Sequence, residues 1–363
     1  MSKINIIYLL PEIKNPTGGA KVIYNHSIIL NKLDKKISSK IIHLKKKLSY
    51  KFETSLSKRI NFLNKDFSGW DVKKMKVSKK FLPDKNWHNK KISLGENLNF
   101  NKDNDFIILP EIWSHFAVDL GLIKKNINYS IFVQGFYHMN STNNFSKFKS
   151  AYENAKFIIT VSDYSVGYLK KMFPKMKNKI FKINFSINKD KIKIKKKLNL
   201  ITFMPRKLQD HSNLLIFYLK DMLPPNWKIV PLINLSEHKL FETLSKSKIF
   251  LSFSHLEGTG IPPIEAALSG NKIIGYTGGG GSTYWKKPIF TKIENGEIKD
   301  YGQKIIQNIK KYNLNWIKDT KKQRKKPSLL YSKDVEKKSL INLSNEIFVS
   351  FISATIMLLL VKY

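Results

Sequence analysis

Short apolar runs separated by stretches of helical length constrain this chain more than any other feature of its sequence. Ile4–Leu10 is followed by a loop ending Pro16-Thr17-Gly18-Gly19 and by a helical pattern over Ala20–Leu33. Further runs stand at Lys40–Leu44, Phe106–Leu109, Tyr129–Val133, Phe157–Val161 and Ile180–Ile183, with helical patterns at Ser114–Lys124, Phe145–Ala155 and Tyr164–Phe173. Strands this apolar belong to a parallel sheet whose crossover helices cover both faces. A second series repeats the alternation, with strands at Leu200–Met204, Lys228–Leu232, Ile249–Phe253, Ile273–Tyr276 and Ile289–Ile293. Its helices fit Ser212–Leu223, Glu237–Ser245 and Pro262–Leu268. The lysine-dense run Asn188–Asn199 separates the two series and reads as a linker. The pattern predicts an α/β chain of two Rossmann-like, doubly wound domains facing across a cleft, residues 1–187 and 188–330, followed by a basic and apolar tail helix, 331–363. Residues 50–100 show no clean periodicity and receive no assignment.

Charge matters next, because it bears on partners. The 363 residues hold 65 Lys plus Arg against 27 Asp plus Glu, a formal net charge of +38. Such a surplus ordinarily points to nucleic acid, an anionic membrane or an acidic substrate. Only Arg59, Arg206 and Arg324 are arginines, however, and base readout favours the planar arginine fork. Lysine beside abundant Ile, Asn, Phe and Tyr points instead to A/T-rich coding, and nucleic acid is not expected as a partner. The runs Lys45–Lys47, Lys73–Lys80, Lys189–Lys197 and Lys318–Lys326 read as solvated faces or loops that together favour an anionic membrane surface. The chain has no cysteine, hence no disulfide framework and no thiol nucleophile. Its first apolar run is too short for a signal peptide, which places the chain in the cytoplasm, peripheral to the inner membrane face. Ile347–Val361 is 15 residues without a charge, short of the roughly 20 a spanning helix needs. It reads as a buried helix docking on the body, with a membrane-inserting tail as the alternative.

Chemistry concentrates between Ser252 and Gly270. There a buried strand turns through Glu257-Gly258-Thr259-Gly260 into a helix opened by Pro262 and Pro263 and carrying Glu265. Prolines suit a first helical turn, and the free amides and positive dipole end beside them suit a diphosphate. A carboxylate can accept from both hydroxyls of a ribose. Asp103-Asn104-Asp105 spells a D-x-D triplet, a metal motif of another transferase fold, but it precedes its apolar run and reads as the turn that opens a strand.

The spacing Glu257-x7-Glu265 with Gly258, Gly260, Pro262 and Glu-Ala-Ala resembles the donor-site signature of family-4 type GT-B glycosyltransferases (glycosyl transferases group 1), which are retaining enzymes. Leu244–Ser254 is similar to the helix and strand that lead into that signature. Ala155–Ser162 resembles the late strand of the first domain that ends in Ser, and Gly18-Gly19 matches the family's glycine-rich loop. The resemblance covers residues 4–34 and 150–285. It implies that Glu265 holds the ribose hydroxyls, that Glu257 faces the transferred sugar, and that Gly258, Thr259 and Gly260 offer amides to phosphate or sugar. Thr259 stands where the family often has an aromatic residue. Gly18 and Gly19 would admit the diphosphate and acceptor. Arg206 matches the arginine of the diphosphate clamp; the lysine five positions on is His211 here, so either Lys207 or His211 as a neutral donor takes that role. Of two first-domain histidines, His115 and His138, the second is better placed to meet the sugar. No metal or other cofactor is implied beyond the nucleotide-diphosphate sugar as co-substrate, and the acceptor would be a glycan or lipid-linked. A nucleotide-sugar epimerase on the same fold, or a basic non-catalytic protein binding nucleic acid or membrane, are the competing readings.

Overall fold

The computed structural model describes residues 3–14, 18–46, 71–85, 88, 90–141, 144–205, 208–312 and 315–360. Arg206 and Lys207, the expected diphosphate clamp, lie outside the described residues, as do Pro16 and Thr17. The chain forms two compact units. One joins Met1–Val161, Ser165–Ile183 and Glu336–Tyr363; the other joins Ser162–Tyr164 and Asn184–Val335. The passage between them thus falls at Ile183/Asn184, ahead of the lysine-rich run.

In the first unit β1 (Ile4–Pro11), β2 (Ile37–Lys46), β3 (Met75–Val77), β4 (Asp105–Pro110), β5 (Asn128–Val133), β6 (Phe157–Thr160) and β7 (Ile180–Lys182) make one sheet in the order β3-β2-β1-β4-β5-β6-β7. All neighbours are parallel except the short edge strand β3. Both faces are covered: Leu9, Ile107, Ile131 and Ile158 are buried on one, Tyr8, Phe106, Phe132 and Ile159 on the other. That is why these strands read as continuous apolar runs rather than alternating ones. Helix α1 (Gly18–Leu33) starts at the two glycines, which therefore form its first turn and not the preceding loop. The helix expected over Ser114–Lys124 is replaced by a 3-10 turn, Glu111–Trp113, and a one-turn helix, Phe116–Asp119. Gly121, at φ 69°, takes the left-handed conformation that ends it. Helices α2 (Phe145–Glu153) and α3 (Asp163–Met172) follow. Asp103 and Asn104 form the turn into β4, where Asp105 accepts from Asn5 Nδ2 and from the Asn101 amide, each at 2.8 Å.

The second unit holds β8 (Leu198–Phe203), α4 (Gln209–Leu219), β9 (Lys228–Pro231), α5 (Glu237–Lys246), β10 (Ser247–Glu257), α6 (Ile261–Leu268), β11 (Lys272–Gly279), β12 (Phe290–Lys292), α7 (Ile298–Lys310) and α8 (Lys321–Leu330). Its five strands are parallel in the order β12-β11-β10-β8-β9. Ile201, Phe203, Leu251 and Ile274 pack with Leu215, Leu219 and Ile305 of α4 and α7 to form the core. Strand β10 runs four residues past Phe253, through a register shift between Ser254 and Glu257, and so delivers Glu257 to the sheet's carboxyl end opposite Gly279.

Helix α9 (Lys333–Leu360) returns to the first unit from Glu336 onward. It buries Leu340, Leu343 and Ile347, and Glu336 Oε1 lies 3.5 Å from His26 Nε2 of α1 with both side chains enclosed. Among the described residues no helix is long and apolar enough to cross a membrane.

Candidate active site

In parallel sheets ligands bind beyond the carboxyl ends of strands, where the strand order reverses. The second unit reverses between β8 and β10. Beyond β10 the turn Glu257–Gly260 runs into α6, with Gly258 and Thr259 buried and Gly260 at φ 80° as the N-cap. Prolines at the second and third helical positions lack N–H groups, so Gly260 and Ile261 are the amide donors this helix end retains. The helix end is accordingly a sparser anion site than its position alone suggests. Glu257 and Glu265 are each half-buried, Glu265 within the second turn of α6.

The Gly278–Gly281 run, where β11 ends, forms the wall against which this turn rests. A Cβ on Gly280 would run into the carbonyl of Gly258, and one on Gly278 would stand 2.9 Å from Ser254 Cβ and 3.0 Å from Glu257 Cγ. Only glycine lets the two loops approach this closely. Tyr284, which caps the 3-10 turn Gly280–Thr283, donates its hydroxyl to the Gly260 carbonyl at 2.7 Å. Burial first, then the charges of Tyr331 and Glu257, hold that phenol well above its usual range, so it remains a donor.

His211 sits in the first turn of α4, beyond β8, with Nδ1 3.1 Å from the hydroxyl of Tyr276 on β11. Burial chiefly raises the Tyr276 phenol, and the Gly296 amide donates to its oxygen. The Tyr276 hydroxyl thus holds the His211 ring in place through Nδ1.

In the first unit the order reverses between β1 and β4. The loop after β4 begins with Glu111, which the sequence reading did not single out. Its carboxylate is buried and Oε1 accepts from the Gly135 amide at 2.9 Å. Burial pushes the Glu111 carboxyl up to about 7, against the pull of donating amides from Glu111 itself, Gly135 and Gln134. The neighbouring Gln134 donates Nε2 to the Gly19 carbonyl at 3.0 Å, and a Cβ on Gly19 would come within 2.8 Å of its Oε1. Gly19 lies against the end of the Gln134 side chain, while Gly18 is exposed. His138 is exposed in the 3-10 turn Phe136–Ser141 after β5, its amide bonded to the Gly135 carbonyl at 2.8 Å. Its Cδ2 lies 3.1 Å, and Glu111 Oε1 3.7 Å, from where a Gly135 Cβ would be. Gly19, Glu111, Gln134, Gly135 and His138 therefore form one cluster. His115 is 3% exposed and packs edge-on against Phe116 with ring centres 4.9 Å apart.

No family model and no curated protein matches this sequence. Solved structures match the fold over nearly the whole chain. Sucrose-phosphate synthase from Thermosynechococcus elongatus matches with a TM-score of 0.64 at 11% identity, covering 96% of this chain and 100% of that one. S. aureus TarM, in complex with fondaparinux, α-GlcNAc-glycerol and UDP, gives 0.61 at 13% identity over 94% and 99%. The pneumococcal O-GlcNAc transferase GtfA, in complex with UDP and GlcNAc, gives 0.57 at 13% over 95% and 99%. With the strand orders above, these matches define the fold as GT-B, two Rossmann-like units of the kind these glycosyltransferases share.

Proposed function

We propose that this chain is a retaining glycosyltransferase of the family-4 kind, moving a sugar from a nucleotide-diphosphate sugar to a glycan or lipid-linked acceptor in surface polysaccharide synthesis. The observation that carries the reading is the glycine-walled turn Glu257–Gly260 leading to Glu265 at the carboxyl end of the second unit's sheet. UDP in the TarM and GtfA complexes supports a nucleotide sugar as donor.

In this reading Glu265 accepts from the ribose hydroxyls and Glu257 faces the sugar. Negative charge building on the leaving diphosphate is met by Arg206, by Lys207 or His211, and by the Gly260 amide, with the His211 ring held by the Tyr276 hydroxyl. Donors fixed before the reaction stabilise such charge without reorganising during it. His138, beside Gly19 and Gly135, serves the sugar or acceptor hydroxyls. The reaction takes no metal, and the enzyme works in the cytoplasm at the inner membrane face. A basic binding protein would account for the lysines but has no use for a paired-glutamate turn walled by glycines. Glu265→Ala is expected to abolish nucleotide-sugar binding in calorimetry while circular dichroism stays unchanged; a variant that binds as well as the wild type would sink the assignment.

A further inference from the structure

At the opposite, amino end of the second unit's sheet lies a cavity of about 590 Å³. Its apolar floor is Ile194, ahead of β8, Leu268, at the end of α6, and Ile317. Its rim is cationic: Lys318, Lys321 and Lys325 are exposed, and Arg324 also lines it although only 8% exposed. Arg324 donates Nη2 to the Ile317 carbonyl at 2.5 Å and Nη1 to the Thr320 hydroxyl. Beside the cavity Lys197 donates to the carbonyls of Ser269 at 2.6 Å and Leu244 at 3.4 Å. Among the described residues every acceptor these two cations meet is neutral, and no carboxylate is paired with either.

Two cations withdrawn from water next to each other, without a counter-charge, are costly to hold. Burial, and then the charge of Arg324, push the Lys197 ammonium down to about 7, which registers that cost. The backbone is shaped to keep them there. Gly270, at φ 84°, sits where a Cβ would come within 2.8 Å of Ile317 Cδ1, 3.2 Å of Lys197 Cε and 3.3 Å of Ile194 Cγ2. A left-handed glycine at this point lets the lysine stem and the cavity floor converge. An anion would supply the missing charge, and the flat fork of Arg324 with three flexible ammonium groups around it suits the several oxygens of a phosphate. The apolar floor suits whatever the phosphate is attached to.

We propose that this cavity is a second ligand site that takes a phosphate-bearing anion with an apolar attachment, separate from the loops at the carboxyl ends of the strands. The phosphate belongs either to a soluble ester or to an anionic phospholipid headgroup, and the test separates the two. Lys321→Ala with Lys325→Ala removes two exposed rim charges without touching the buried contacts. Lys299→Ala with Lys310→Ala on α7 removes the same charge elsewhere on the unit. Melting is followed with inorganic phosphate against chloride at equal ionic strength, and sedimentation with phosphatidylglycerol-containing against pure phosphatidylcholine vesicles. For a soluble ester, phosphate raises the melting temperature of wild type and control, and binds the rim variant about tenfold more weakly. For a lipid headgroup, the anionic vesicles carry down wild type and control, with the rim variant about tenfold weaker. If rim variant and control behave alike with both probes, or neither probe binds the wild type, the site does not exist. Nucleotide-sugar affinity is expected to be the same in all three proteins, so this result stands or falls apart from the donor-site assignment.

Discussion

The two units solve the same structural problem by different chemistry. Each must hold a loop firmly beyond the carboxyl ends of parallel strands. The second unit does it with absent side chains: Gly278 and Gly280 let one loop lie directly on the Glu257–Gly260 turn, and a neutral phenol, Tyr284, ties the turn down. The first unit does it with side chains: the buried carboxylate of Glu111 gathers the amides around Gly135, and Gln134 bonds back to Gly19. A wall made of glycine tolerates no added atom but is indifferent to pH. A loop gathered by a buried carboxyl tolerates small changes but responds to protonation.

Matched glycine substitutions break this comparison most forcefully. Gly280→Ala drives a methyl into the Gly258 carbonyl and is expected to lower stability by about 2–3 kcal/mol and to abolish nucleotide-sugar binding. Gly135→Ala meets the exposed His138 ring at 3.1 Å, which can swing aside, and Glu111 Oε1 at an ordinary 3.7 Å, and is expected to cost about 1 kcal/mol or less. Denaturant unfolding of the pair checks this; equal losses would mean the two loops are built alike.

Titration sharpens the contrast. With Glu111 at about 7 in the folded chain, against an ordinary value of 4.5, the folded state retains a proton that the unfolded state has released between those pH values. Stability from this group therefore falls as pH rises from about 4.5 to 7. Glu111→Gln removes that slope and is expected to be more stable than wild type at pH 7 and above, on the order of 3 kcal/mol, and so to melt higher there, with little difference at pH 4. Melting curves across that range are the check, and a difference independent of pH would place the carboxyl outside the account.

What the sequence made legible follows from range. Strands buried on both faces announce themselves locally, and so does a strand–glycine–proline–helix passage such as Phe253–Leu268. Glu111 does not: it is one carboxylate after an apolar run, and its meaning lies in the Gly135 amide, which only folding brings near. The bond from Gln134 to Gly19 spans 115 positions and is equally silent. The glycine run at 278–281 reads in sequence equally well as a flexible turn, and only folding brings it against Gly258. Lys318–Lys326 read as a solvated run, correctly for its lysines, but Arg324 within it is buried because the face of α8 that carries it turns inward. Edge strand β3 is three residues long, too short for any periodicity to mark it.

Nucleotide-sugar binding by the second unit is the central claim, and a melting screen tests it most directly. Wild type and Glu265→Ala are heated with UDP-, GDP- and dTDP-sugars in turn, since a ligand that binds only the folded state raises the melting temperature. The account predicts that at least one nucleotide sugar raises the wild type and leaves the variant unmoved. A wild type indifferent to all three, or a variant raised equally, would contradict it.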